Sequence, residues 1–308
     1  MQINKEPAVS AVICTYNRDK FIGEALSCLA RQTLSPDLFE IIVVDNKSTD
    51  STAAIIQKFI AEHPGLNIRY VPEPNKGLSF ARNRGIQEAR SSVITYIDDD
   101  AEASPGFLQS IVEFMETDKT AVGIGGKVIP KYSESDEPKW MSKYLNGFVG
   151  LMDYGPSLKR FDNTMKYPAG CNMTYTKEIL QKAGGFNNQL TFRSDDKYIF
   201  SQVSKLSDKI YYLPAALLYH NIDTDRLSFT NFKKLFLKSG NEEKIRVRSE
   251  NGTVGIVKKF FELIFKTGAS VILYFLYLLK VKELKGRYIF LSQWFTLKGF
   301  LQKTVFVR

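Results

Sequence analysis

Three adjacent carboxylates, Asp98-Asp99-Asp100, close an apolar run at residues 93–97. Charges this close repel one another, and a hard divalent cation such as Mg²⁺ or Mn²⁺ relieves the repulsion through oxygen ligands. A strand at 93–97 would set the triplet at its carboxyl end, where open α/β sheets bind ligands. A solvated acidic turn is the plain alternative for such a triplet alone. Composition excludes two other kinds of metal site. Two histidines, three cysteines and no C-x-x-C pair leave no zinc finger and no three-histidine site.

The elements that must hold this triplet are legible as short β-branched runs at residues 9–14, 41–44, 68–71 and 93–97. They are apolar on both faces, as strands of a covered parallel sheet are. Helical spacing fills the gaps at 20–31, 52–62 and 80–89. Strand–helix alternation predicts right-handed βαβ crossovers and an α/β fold with a mostly parallel sheet flanked by helices. Beyond Asp100 the pattern predicts helices at 107–116, 177–183 and 196–205, and strands at 122–129, 172–176 and 210–213. Residues 131–162, rich in Pro, Gly, Lys and aromatics, read as a long loop with short helices.

The order of motifs along residues 9–220 resembles the family 2 glycosyltransferases. Val12-Ile13-Cys14-Thr15-Tyr16-Asn17-Arg18 is similar to the family's opening strand and nucleotide loop. Ile42-Val43-Val44-Asp45-Asn46-Lys47-Ser48-Thr49-Asp50 resembles its V-D-[DN]-x-S-x-D segment, and Asn75 to Asn83 its N-x-G-x-x-x-A-R-N segment. Asp98-Asp99-Asp100 stands at the D-x-D metal motif. Gly170-Cys171-Asn172-Met173, Gly184-Gly185-Phe186-Asn187, Asp195-Asp196 and Tyr219-His220 follow at the later landmarks. The resemblance implies the GT-A nucleotide-diphospho-sugar transferase fold and an inverting, metal-dependent transfer from a nucleotide sugar.

It also implies roles. Thr15, Asn17 and Asp45 would line the base pocket, with the Asp45 carboxylate accepting a uracil imide N–H. Gly77 would admit close backbone approach, and the Arg82 guanidinium would meet the diphosphate. Asp98 and Asp100 would hold Mn²⁺ or Mg²⁺, with Asp99 beside them at the donor. His220 would be a third ligand or a diphosphate contact, or else a buried histidine bonded to a carbonyl. Gly170 and Asn172 would face the donor sugar or only shape a turn. Asp196, with Asp195 beside it, is the candidate general base. The usual Glu-Asp is Asp-Asp here and Tyr198 stands where an acid is common, so which aspartate acts is open at this point.

The net charge of +9 is unevenly placed. Residues 226–308 carry +12 and the first 225 residues −3. The expected division is a GT-A domain at 1–226 and a basic amphipathic helical tail at 227–308. Lys258, Glu262, Lys266 and Ser270 make one narrow polar stripe on an otherwise apolar arc. The tail fits a membrane-surface anchor, with a packed helical subdomain or an oligomer contact as alternatives. Nucleic-acid binding is disfavoured, because no recognised module is present and the aromatics sit in apolar runs. The longest uncharged stretch, 267–279, is 13 residues, short of a spanning helix. Without a signal-peptide pattern, the expected location is cytoplasmic, peripheral on the inner face of the membrane.

The expected activity is transfer of a sugar, from a UDP-linked donor, to a hydroxyl of a glycan or lipid-linked glycan. Two rivals are a synthase that uses polyprenyl phosphate as acceptor and a non-catalytic adaptor that keeps the fold. A dehydrogenase is disfavoured because no G-x-G-x-x-G follows the first strand.

Overall fold

The computed structural model describes residues 6–132, 136–162, 165–192 and 194–302. The chain divides into two compact units. The first comprises residues 1–129, 150–191 and 195–221; the second comprises 130–149, 192–194 and 222–308.

In the first unit, β1 (Val9–Thr15), β2 (Phe39–Asp45), β3 (Ile68–Pro72) and β4 (Val93–Asp98) pair in parallel, in the order β3-β2-β1-β4. Helices α1 (Ile22–Ala30), α2 (Thr52–Glu62) and α3 (Leu78–Glu88) connect them. The register makes the carboxyl ends level: Thr15 lies opposite Asp45, and Cys14 opposite Asp98. With strands about 4.8 Å apart, one edge then collects the ends of β2, β1 and β4.

Alternate residues of each strand enter opposite layers, as a period of two requires. Ala11, Ile13, Ile41 and Val43 pack with α1, α2 and α4 (Phe107–Thr117). Val12, Ile42 and Val44 face the other way, toward α3 and toward α5 (Lys177–Lys182) and α6 (Asp195–Ser204). Both faces are covered, which explains the nearly unbroken apolar runs.

Past β4 the strand pairing turns antiparallel, so the sheet is mixed rather than parallel throughout. The strands β5 (Ala101–Ala103), β6 (Gly123–Tyr132), β7 (Lys159–Arg160), β8 (Asn172–Thr176) and β9 (Ile210–Ile222) complete it. The pairs β4–β8, β6–β8, β5–β9 and β7–β9 are antiparallel. Here β9 runs 13 residues, well past the four expected, because β5 and β7 both pair with it. The pairing sets Asn172 opposite Ile97 and His220 opposite Ala101. Two later strands thereby return to the carboxyl end of β4.

In the second unit, α7 (Thr224–Leu227) leads to α8 (Phe229–Leu279) and α9 (Glu283–Leu301). Gly252, at φ 59° and ψ −147°, breaks α8 into helices at 229–251 and 253–279. Two close glycine contacts set the packing. A Cβ on Gly240 would lie 2.0 Å from the Thr296 carbonyl, and one on Gly286 would lie 2.9 Å from the Tyr274 and Tyr277 side of α8. The three helices thus run up, down and up. Trp140 stacks on Tyr288 at 4.4 Å between ring centroids, beside Phe148 and Phe232. α8 also contains an 18-residue window of mean hydropathy 1.5 with at most two charged residues. By length and composition alone it could cross a membrane, because the helix runs on past the charges that bound the uncharged stretch.

Candidate active site

The carboxyl edge of β2, β1 and β4 carries the candidate residues. Asp98 ends β4, and the chain turns at once into β5, which pairs with β9. His220 therefore arrives beside the triplet, its Nε2 3.2 Å from Asp100 Oδ1. One ligand atom each from Asp98, Asp100 and His220 lie within 4.8 Å of one another. Gly150 packs against the imidazole; a Cβ there would come 2.8 Å from Nδ1, so the ring is fixed from behind. Two carboxylates and an imidazole suit a divalent cation such as Mn²⁺ or Mg²⁺.

Opposite charges hold the triplet together. Arg18 reaches Asp99 at 3.3 Å and Asp100 at 3.4 Å. Burial pushes the Asp99 carboxyl up to about 8, with the Asp100 charge adding to it and Arg18 opposing it. Asp99 faces inward, 7% exposed, whereas Asp98 is 38% exposed at its side chain.

Arg82 is almost entirely buried, at 3% exposure. Its guanidinium pairs with Asp195, lies 3.5 Å from Asp98 Oδ1 and donates to the Gly170 carbonyl at 3.0 Å. Burial works against its charge, but Asp195 and Asp98 outweigh that and hold its pKa above the usual arginine value. The side chain expected at a diphosphate is thus wholly engaged beneath the carboxylates. A Cβ on Gly170 would sit 2.8 Å from Arg82 Nη2, so glycine is needed there for the guanidinium to fit.

The two aspartates of α6 have different surroundings. Asp195 is 2% exposed and neutralised by Arg82. Asp196 is partly exposed; its Oδ2 accepts from the Gly170 amide at 3.2 Å and its Oδ1 from the Lys197 amide at 2.7 Å. Asn172, expected near the donor, is turned inward at 1% exposure. Its Nδ2 donates to the carbonyls of Lys127 and Ala216, tying β8 to β6 and β9.

At the other end of the edge, Asp45 is 4% exposed and held at both oxygens. Ser48 N donates to Oδ1 at 2.9 Å, and the Tyr70 hydroxyl donates to Oδ2 at 2.6 Å. Thr15 is buried beside it, in register. Asn17 adopts φ 52° and exchanges hydrogen bonds with Ser48 and Thr49. Gly77 has φ 144°, a region that favours glycine, and its amide donates to Asn46 Oδ1 at 2.7 Å. Asn46 also donates to the Asn75 carbonyl at 2.6 Å, so it clamps the loop before α3 onto the end of β2.

Sequence reasoning passed over Tyr70, Asn46 and Arg18 as site residues. Asn46 and Arg18 lie inside the quoted motifs, and adjacency to Asp45 was a usable signal for Asn46. Tyr70 lies one strand away and becomes visible only through the β2–β3 register.

The sequence matches the model of glycosyl transferase family 2 over residues 10–184, more than half its length, and the chain belongs to that family. It is 26% identical over 207 residues to the glucosyl-dolichyl phosphate glucuronosyltransferase of Haloferax volcanii, covering 66% of this chain and 63% of that protein. The chain therefore spans less than two thirds of that relative's length. Among solved structures, the mannosyltransferase PcManGT of Pyrobaculum calidifontis, in complex with GDP-Man and Mn²⁺, superposes with a TM-score of 0.62 at 16% identity. That match covers 94% of this chain and 86% of the other. TarS 1–349 of S. aureus, in complex with UDP-GlcNAc, gives 0.56 at 17% identity, covering 94% and 90%. At these identities the likeness shows the fold, which is that of the GT-A glycosyltransferases.

Proposed function

We propose that this chain is an inverting glycosyltransferase that moves a sugar from a nucleotide sugar, UDP-linked, to a hydroxyl of a glycan or lipid-linked glycan. The single observation that carries the reading is the convergence of Asp98, Asp100 and His220 on one point, with Arg82 joining Asp98 to the first turn of α6. The transferase names of the relative and of PcManGT, and the UDP-GlcNAc bound to TarS, support the reaction class. The acceptor follows by analogy with the lipid-linked glycan in the Haloferax relative's name and with surface-polysaccharide assembly.

In this reading Asp98, Asp100 and His220 hold the divalent cation. When bound, the cation supplies positive charge for the departing nucleoside diphosphate. Asp45 accepts the imide N–H of the uracil, with Tyr70 and Ser48 N fixing its carboxylate. Arg82 is a positioning residue: it pairs with Asp195 and holds the Gly170 carbonyl. Asp195, buried against Arg82, is not placed to meet an acceptor hydroxyl. Asp196, partly open to solvent, receives the acceptor hydroxyl proton as the oxygen attacks the anomeric carbon. Asn172 has its amide committed to strand carbonyls and acts on shape alone.

The test is a panel of UDP- and GDP-sugars with and without Mn²⁺, read by thermal shift and by release of nucleoside diphosphate. Stabilisation by a UDP-sugar that needs Mn²⁺ and is lost in Asp98→Asn is expected. Stabilisation by no nucleotide sugar overturns the proposal.

A further inference from the structure

The helix at 253–279 is apolar on two opposite sides. Its inward side buries Gly255, Leu263 and Ser270 in the three-helix unit. Its outward side carries Val254, Phe261, Phe265, Ile272, Phe275 and Leu279, each more than half exposed. At about 100° per residue these six fall within roughly 40° of one line, which runs about 37 Å along the helix. Lys259, Glu262 and Lys266, in the middle of this helix, are off that line and paired with one another. Glu262 accepts from Lys259 at 2.9 Å and from Lys266 at 2.5 Å.

The turn at the end of the stripe has a different composition. Val281, at φ 54°, is 93% exposed. Around it Lys280, Lys282, Lys285 and Arg287 carry no ion pair among the described residues. Glu283 is the sole acidic residue from Thr267 to the C-terminus. An exposed apolar ridge therefore ends in a cluster of cations with almost no counter-charge.

We infer that this ridge lies in the plane of an anionic lipid surface, its side chains at the acyl boundary and the cationic turn on the head groups. Charge selects the occupant. If two copies paired through the ridge antiparallel, the turn of one would meet residues 246–253 of the other, where Glu250 is already paired with Arg246; paired parallel, the two turns would meet each other. Lipid phosphates supply the missing negative charge, and the aliphatic and aromatic ridge gains from leaving water. A span centred on the whole ridge would carry Glu262 and Lys266 toward the bilayer centre. The inference rests on the surface of the second unit and is independent of the donor and of the reaction.

The test is flotation of the full chain with vesicles of phosphatidylcholine alone or with a quarter phosphatidylglycerol, at low and high salt. Wild type is expected to float with the anionic vesicles at low salt, and at least tenfold less with the neutral ones or in high salt. The triple variant Phe261→Ser, Phe265→Ser, Ile272→Ser should lose flotation. Lys280→Glu with Lys282→Glu and Lys285→Glu should lose the preference for anionic lipid. Both keep the inward packing, and circular dichroism and UDP binding check the fold separately. In a single Phe275→Trp chain, indole emission should be quenched by lipids brominated near the head-group end of the acyl chain more than by those brominated near its terminus. Flotation of the triple variant like wild type overturns the inference. So does deepest quenching near the bilayer centre, or a ridge-dependent dimer in light scattering that binds no vesicles.

Discussion

At the scale of single residues, the site separates two acids that stand side by side. Asp195 is buried against the Arg82 guanidinium and Asp196 is partly exposed, so their substitutions should fail differently. Asp196→Asn should lower turnover by about 10²- to 10⁴-fold while leaving the dissociation constant for UDP-sugar unchanged, checked by kinetics and calorimetry side by side. Asp195→Asn leaves Arg82 without its main partner in a dry site, which costs on the order of 3–5 kcal/mol. Its signature is a drop in melting temperature before any loss of rate is considered. Tyr70→Phe removes one hydrogen bond to the Asp45 carboxylate. Roughly tenfold weaker UDP binding is expected by calorimetry, with turnover at saturating donor unchanged.

At the scale of elements, the parallel half of the sheet was legible and the antiparallel half only in fragments. The strands β1, β2 and β4 are buried on both faces, so their runs stand out against polar connections, while β3 at the sheet edge is buried only in part. β5 and β7 are three and two residues long and owe their existence to pairing with β9, which no local pattern reveals. The motif residues could be placed at strand ends, but Arg82 could not be read as buried. A helix with an arginine among small residues looks like a surface helix until its neighbours are known. The break at Gly252 was available in the sequence as Asn251-Gly252, a turn signal inside a helical pattern. The helix crossings rest on small residues as well. Gly240→Ala places a methyl within 2.0 Å of the Thr296 carbonyl and must push the helices apart. A loss of about 1–3 kcal/mol is expected in chemical denaturation, with Gly268→Ala, which meets open space, as a control that gains about 0.5–1 kcal/mol.

At the scale of the whole chain, the second unit draws on residues 130–149 as well as on the C-terminal helices. Trp140 and Phe148 pack on Phe232, Phe236 and Tyr288. Ending the chain at residue 226 would strip those rings of their partners and leave an apolar patch in the middle of the sequence. Such a truncation is expected to aggregate in size-exclusion chromatography, whereas the exposed-ridge substitutions should remain monodisperse. The charge of +9 conceals this arrangement, because the cations are concentrated in the C-terminal helices and the site carboxylates lie in the first unit.

Arg82 touches Asp98, the proposed cation ligand, the Gly170 carbonyl and the first turn of α6 at once, while Gly170 in turn donates to Asp196. Such an arrangement makes two equilibria reciprocal. A cation that draws Asp98 toward itself leaves the guanidinium to Asp195 and Gly170, so filling one position orders the other. Hydrogen exchange should report it: adding Mn²⁺ with UDP is expected to slow exchange at the Gly170 amide, and Arg82→Lys, which lacks the fork, should abolish that protection. Unchanged exchange on adding both would show the two positions to be thermodynamically separate.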